Sequence, residues 1–285
     1  MKTALIIPSY NQSKYLPRIF KAIELQSIKP SVIYLMVDRP EDDETIEQYL
    51  KQISKLNLNI VIKYVNKIPK NIEFRSTNNP FLTPYIRNSG IANALSEGCD
   101  NFIFIDGDCI PQKNLIQSHL KKLNHHIPVL SVGRRREAIY KWQDRREHVP
   151  ELLNLNLFRE KGTLINNPQL LKQSLIVWSC NMAMNLPAIK LIKKFNKKYY
   201  FRDEVFSSEF VGKWGGEDAF LGIQSHYCRV FITTIGEKSS GIEHIDHPRP
   251  PEKYNLEHMK FLNNEMEKLS KKIMLNPMEI DFFVT

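Results

Sequence analysis

The sequence is short of the devices by which many chains staple or anchor themselves. Its four cysteines, Cys99, Cys109, Cys180 and Cys228, are scattered through 285 residues with no Cys-x-x-Cys pair. Neither a structural zinc site nor a disulfide framework is expected, and buried reduced thiols are the default. The lack of a preformed three-ligand cluster further disfavours zinc. No apolar run approaches the roughly 20 residues needed to span a bilayer. Met1 to Pro8 reads as a first strand rather than a signal peptide, so a cytoplasmic protein, at most peripheral at a membrane, is expected. Acid is also in deficit: 31 Asp and Glu face 40 Lys and Arg, a net charge of +9. Such an excess of positive charge suits an anionic partner, whether nucleic acid, phosphorylated metabolite or anionic lipid.

What is present is an alternation of short apolar runs and helical periods. Ala4–Ile7, Val32–Val37 and Ile60–Val65 read as buried strands. Between them, Leu16, Ile19, Phe20 and Ile23 recur at helical spacing behind Ser13 as an N-cap, and Ile46, Tyr49, Leu50 and Ile53 follow the acids Asp42-Asp43-Glu44. Strand, helix, strand, helix, strand is the pattern of a doubly wound parallel sheet, an α/β fold whose first half commonly binds a nucleotide. Helices are expected over Tyr85–Ser96, Asn114–Leu123 and Leu186–Phe195, and strands over Phe102–Ile105, Val129–Val132, Leu175–Met184 and Arg229–Ile235. Residues 133–167 hold Arg134-Arg135-Arg136 without a clean period, which fits a mobile or acceptor-facing segment as well as a solvated basic helix. Lys193, Lys194, Lys197 and Lys198 precede Tyr199, Tyr200 and Phe201, a combination that suits a solvated helix face or an anionic membrane. From Glu252 to Leu275, Leu256, Met259, Leu262, Met266, Leu269 and Ile273 mark an amphipathic helix. Its apolar face suits packing on the core; a homodimer or membrane contact would use the same face.

Two acidic clusters carry the chemistry. Asp106-Gly107-Asp108 ends the Phe102–Ile105 strand, the edge of an open sheet where ligands bind, and its two carboxylates can face one hard cation. In Trp214-Gly215-Gly216-Glu217-Asp218, glycines let the backbone approach a ligand and the acids open a helix, where a carboxylate can serve as general base. Each cluster alone has a plainer reading, an acidic turn or a helix cap. Arg87 lies on a helix that can bring it to Asp106, to meet a phosphate or anchor the acids. With the two upstream aspartates, one of His244 and His247 can complete an octahedral Mn²⁺ or Mg²⁺ shell, although a lone histidine is more often structural.

Taken together, Ile7-Pro8-Ser9-Tyr10-Asn11, Asp38, Arg87-Asn88-Ser89-Gly90, Asp106-Gly107-Asp108 and Glu217-Asp218 resemble family 2 glycosyltransferases of the GT-A fold over residues 3–250. Trp214–Asp218 and His247-Pro-Arg-Pro-Pro251 resemble the corresponding stretches of β-1,4-galactosyltransferases and chondroitin-type polymerases. The resemblance implies a mostly parallel central sheet flanked by helices in a domain over 1–250, its nucleotide-binding half at 1–110 and its acceptor and catalytic half at 111–250. A helical extension then occupies 251–285. It implies that Pro8, Tyr10, Asn11 and Asp38 hold base and ribose, with Arg87 near the diphosphate. Asp106 would lie by the ribose and metal, and Asp108 would bind the metal with His247 first and His244 in reserve. Asp218 would be the base, Glu217 its positioning neighbour, and Trp214 with Gly216 would face the sugar. The implied activity is inverting, metal-dependent transfer of a galactose, GalNAc or glucose type sugar from a UDP-sugar to a glycan, lipid-linked or protein-linked hydroxyl. Two departures stand out: Asp38-Arg39-Pro40-Glu41 where relatives carry Asp-Asp-Gly-Ser, and Ser179-Cys180-Asn181 where they often carry Gly-Gly-Asn.

Other classes fit less well. A nucleotidyltransferase would need a glycine-rich basic loop after the first strand, which Pro8-Ser-Tyr-Asn11 does not supply. A nucleic-acid-binding protein would account for the charge, but no recognition motif accompanies Arg134–Arg136, so no nucleic-acid partner is expected.

Overall fold

A computed structural model of the chain describes residues 1–65, 82–124, 126–137, 142–143, 176–211, 216–236, 238–245 and 253–276. Strands β1 (Thr3–Ser9), β2 (Val32–Asp38), β3 (Ile60–Val65) and β4 (Asn101–Ile105) form the centre, with every residue of β1, β2 and β4 buried. Burial on both faces is what a parallel sheet covered by helices requires, and it explains why these runs are apolar without alternation. β2 lies parallel to β1 and to β3, while β4 lies parallel to β1 on its other side. The chain thus winds outward from β1 and returns to the opposite side, so the strand order reverses between β1 and β4. A crevice opens at the carboxyl ends of strands at such a point.

Beyond β4, strand β9 (Asn181–Asn185) runs antiparallel between β4 and β6 (Val129–Val132), and β10 (Phe231–Thr234) closes that edge parallel to β6. The order is β10-β6-β9-β4-β1-β2-β3. A second sheet, in the order β5-β11-β7-β8, joins β5 (Cys109–Pro111), β11 (Ile242–His244), β7 (Arg135–Glu137) and β8 (Trp142–Gln143).

Side chains divide by strand parity. Leu5 and Ile7 face helices α1 (Leu16–Glu24), α2 (Ile46–Ile53) and α4 (Leu115–Leu123), whereas Ala4 and Ile6 face α3 (Thr83–Ser96), α5 (Leu186–Tyr200) and α6 (Glu217–Tyr227). A Cβ at Gly90 of α3 would lie 2.6 Å from Ile6 Cγ2, so the absent side chain lets α3 settle onto β1 one turn beyond Arg87. Leu262, Met266, Leu269 and Ile273 of α7 (Lys253–Leu275) join the same core. That apolar face is therefore covered by the chain itself. The side chains of Leu256 and Met259 lie outside the described residues.

Several sequence expectations are corrected. Ser13 does not cap α1; it opens a short 3₁₀ turn, and its hydroxyl donates to Asp43 at 2.7 Å while Tyr15 occupies the cap position. Within the expected strand 175–184, of which residues 176–184 are described, pairing begins at Asn181, after a turn closed by Asn181 N to Trp178 O (3.1 Å). Arg135 and Arg136 lie in β7 rather than on a solvated helix: Arg136 pairs with Glu243 of β11, and Arg135 stacks over Trp178. Residues 138–141 and 144–167 of that stretch fall outside the described residues. Tyr199 and Tyr200 are core residues, leaving Phe201, 91% exposed, as the aromatic side chain outside. No described helix is long and apolar enough to cross a membrane.

One buried histidine gives the fold a pH signature. Asn181 Nδ2 donates to Arg134 O at 2.7 Å, which orients its Oδ1 toward His119 Nε2 at 2.9 Å. His119 therefore donates from Nε2, and its Nδ1, 3.0 Å from Ser131 Oγ, accepts. Burial pushes the imidazole down to about 4, against the Asn181 bond that favours its protonated form. A depressed value means the stabilisation is whole above the unfolded pKa near 6.5 and is lost as pH falls toward 4, a swing of up to about 3 kcal/mol. Denaturant midpoints for wild type and His119→Gln should converge across that window as pH is lowered. Parallel curves would contradict it.

Candidate functional site

The crevice between β1 and β4 is where the two acidic clusters meet. At the end of β4 the chain turns at once, with Gly107 N donating to Pro8 O at 3.1 Å. A Cβ on Gly107 would lie 2.5 Å from Gln12 Oε1 and 2.9 Å from Pro8 O. The glutamine tip can move, but the backbone carbonyl cannot, so glycine is required here to set Asp106 and Asp108 against β1. Gly107→Ala should cost about 1–3 kcal/mol, as overpacking does. Thermal melting checks this, and an unchanged midpoint would show that the turn can relax.

Asp108 is buried. Its Oδ2 accepts from Gln12 Nε2 at 2.8 Å and lies 3.6 Å from His244 Nε2, while its Oδ1 accepts from the Cys109 thiol at 3.3 Å. Register places the histidine: β11 runs antiparallel to β5 with His244 opposite Cys109, and Ile245 N donates to Asp108 O at 2.8 Å.

Arg87 ties the second cluster to the first. Fully sequestered on α3, it donates Nη2 to Asp106 Oδ1 at 2.7 Å and Nη1 to Glu217 Oε1 at 3.2 Å, a residue 130 positions away. Anchoring the acids is one of the two roles that the sequence left open to it, and these ion pairs are its partners here. Burial and the neighbouring Asp218 push Glu217 up to about 7, against the pull of Arg87. Burial likewise raises the Asp106 carboxyl, again opposed by Arg87. Glu217 Oε2 and Arg87 Nε are buried with no hydrogen-bond partner among the described residues. Gly216 precedes α6 with φ +90°, a conformation that favours glycine, and so starts the helix with both acids in its first turn. Asp218, next in line, is only half-buried, and its Oδ1 accepts from Ala219 N at 2.8 Å.

At the β1 and β2 ends, Tyr10, Asp38 and Arg39 form one group. Arg39, at φ +44°, grips the Asp38 carboxylate with Nε at 3.1 Å and Nη2 at 3.0 Å, and its guanidinium lies 3.9 Å from the Tyr10 ring centroid. Tyr10 donates its hydroxyl to Asp42 at 3.1 Å. Burial raises the Asp38 carboxyl, with Arg39 opposing. Asn11 is exposed at φ +50°, a conformation asparagine tolerates. Sequence reasoning missed Arg39 and Gln12 as members of the site. The departure at Asp38-Arg39-Pro40-Glu41 marks the first, whereas nothing local marks the second.

Trp214 and His247 lie outside the described residues. Asp108 and His244 do come together at 3.6 Å, an oxygen and an imidazole nitrogen of the kind that suits Mn²⁺ or Mg²⁺, whereas Asp106, two residues before Asp108, turns Oδ1 to Arg87. A second donor group was not expected: Asp106, Cys109 and Cys180 bring an oxygen and two sulfurs within 4.8 Å of one another.

Comparison with known proteins bears on the family and the fold. The profile described as Glycosyl transferase family 2 matches residues 4–192. No curated protein sequence matches. Among solved structures, S. aureus TarS residues 1–349 in complex with UDP-GlcNAc is similar at TM-score 0.60 and 15% identity, covering 98% of this chain and 68% of that one. Against a longer TarS structure the chain covers 41% of that chain's length. Glucosyl-3-phosphoglycerate synthase from Mycobacterium tuberculosis, in complex with Mn²⁺, UDP-glucose and phosphoglyceric acid, is similar at TM-score 0.53 and 14% identity, covering 95% and 79% of the two chains. Mannosyltransferase PcManGT from Pyrobaculum calidifontis, in complex with GDP-Man and Mn²⁺, gives TM-score 0.53 at 10% identity, with 98% and 76% covered. The α/β architecture with its large, mostly parallel sheet is that of these GT-A structures.

Proposed function

The chain belongs to glycosyl transferase family 2, and from that premise we propose that it is a metal-dependent, inverting enzyme that moves a sugar from UDP to an acceptor hydroxyl. The observation that carries the proposal is Arg87. It binds Asp106 and Glu217 at once and so joins the acids of the two sequence clusters into one site at the β1–β4 crevice. In this reading Pro8, Tyr10, Asn11 and Asp38 receive base and ribose, and Asp106, Asp108 and His244 hold the metal, with His247 a second candidate imidazole. A divalent ion bound there supplies charge neutralisation for the departing diphosphate.

The chain's own residues divide the remaining work by exposure. Glu217 is buried and committed to Arg87, so it orients. Asp218 is partly open at the first turn of α6 and takes the proton from the acceptor hydroxyl. Attack comes from the face opposite the leaving group, the anomeric configuration inverts, and no covalent intermediate is needed. In this reading Trp214, outside the described residues, keeps the sugar-contacting role that its resemblance to the galactosyltransferase and chondroitin polymerase stretch implies. A sugar of the galactose, GalNAc or glucose type and a glycan, lipid-linked or protein-linked acceptor complete the reading. The test is nucleoside diphosphate release from a panel of nucleotide sugars, with Mn²⁺ and with chelator. Metal-dependent release from one UDP-sugar is expected. No release and no binding for any donor would remove the proposal.

A further inference from the structure

The unexpected donor group lies at the same sheet edge and differs in chemistry from the carboxylate pair beside it. Three backbone features build it. Asn181 of β9 pairs with Ile105 of β4, so Cys180 and Asp106 follow as the next positions of the two antiparallel strands. Cys109 N donates to Asp106 O at 3.0 Å, folding Cys109 back toward the same point. The turn from Trp178 to Asn181 holds Cys180 in place. Both cysteines are free and buried, while the Asp106 side chain is 31% exposed and gives the group its opening to solvent.

We propose that Asp106, Cys109 and Cys180 form a site for a thiophilic divalent cation, Zn²⁺ or its analogues, distinct in chemistry from a hard-ion site at Asp106, Asp108 and His244. Two sulfurs and a carboxylate oxygen are three ligands of a four-coordinate ion, with one position left for water. Two bonds of about 2.3 Å at a tetrahedral angle set the sulfurs roughly 3.8 Å apart, a spacing inside the 4.8 Å that bounds the three ligand atoms. On binding, each thiol gives its proton to solvent, two protons per ion, and two thiolates with one carboxylate leave the bound cation a net charge of −1. Arg87 on Asp106, and Arg135 acting on Asp106 electrostatically, offset that charge. The sequence offers no three-ligand cluster to the eye because Cys180 lies 71 positions after Cys109, and only the β4–β9 register joins them. A consequence that rests on the transferase reading is that a thiophilic ion holding Asp106 would inhibit transfer.

The test uses Co²⁺ and the whole chain, with a thiol-free reductant present. Wild type should develop a thiolate-to-cobalt charge-transfer absorption that saturates at one ion per chain and is bleached by Zn²⁺. Cys180→Ala and Cys109→Ala should each weaken Co²⁺ binding roughly tenfold or more, whereas Asp108→Ala should keep the absorption. That last variant separates this proposal from the transferase reading, whose metal it removes. Absence of the absorption in wild type, or its persistence in both cysteine variants, would overturn the site. Should either variant fail to fold, alkylation of Cys109 and Cys180 in wild type decides: slowing by Zn²⁺ supports the site, and equal rates with and without Zn²⁺ overturn it.

Discussion

Replacing Arg87 by methionine should cost about 3–5 kcal/mol of stability, the loss typical of removing one partner from a buried ion group. The guanidinium is fully buried, and its removal leaves Glu217 without its counter-charge in the core. Asp106, partly exposed, can recover water; Glu217 cannot. A second substitution should therefore restore much of the loss: Arg87→Met with Glu217→Leu removes the stranded charge as well as the cation. Denaturant unfolding of the single and double variants measures both effects. Equal stability of wild type and Arg87→Met would mean that the ion triad does not hold α3, β4 and α6 together.

Asp218→Asn should lower turnover by roughly 10²–10⁴-fold while leaving donor binding unchanged, since an amide keeps the shape and cannot take a proton. Glu217 is the residue that could obscure this result, because it is adjacent and acidic. Its burial and its bond to Arg87 keep it from an acceptor hydroxyl, so no rescue by Glu217 is expected. Steady-state rates and nucleotide affinity together decide. A variant with wild-type turnover would remove Asp218 as the base.

Much of the fold was legible in the sequence, for reasons specific to particular stretches. Leu5, Ile7, Val32–Val37 and Phe102–Ile105 are buried on both faces, and such strands announce themselves as unbroken apolar runs. The Asp106-Gly107-Asp108 turn was visible because a strand stops there, and Glu217-Asp218 because glycines precede a helix. What was not legible depends on pairing between distant segments. Gln12 reaches Asp108, Arg39 stacks on the Tyr10 ring from the end of another strand, and Arg136 meets Glu243 only after the second sheet has formed. Cys109 and Cys180 carry no signal of each other until β9 is laid antiparallel against β4. Ser13 misled because its hydroxyl has two plausible partners, a helix end and a carboxylate, and Asp43 wins.

The most direct test of the site is UDP binding by calorimetry, with and without Mn²⁺, in wild type and Asp108→Ala. Binding needs neither the acceptor nor the correct sugar, so it isolates the claim that the β1–β4 crevice holds a metal and a nucleoside diphosphate together. The account predicts Mn²⁺-dependent binding in wild type that weakens about 100-fold or more, some 2.7 kcal/mol, in Asp108→Ala. UDP binding that ignores both the metal and Asp108, or no binding of any nucleoside diphosphate, would contradict it.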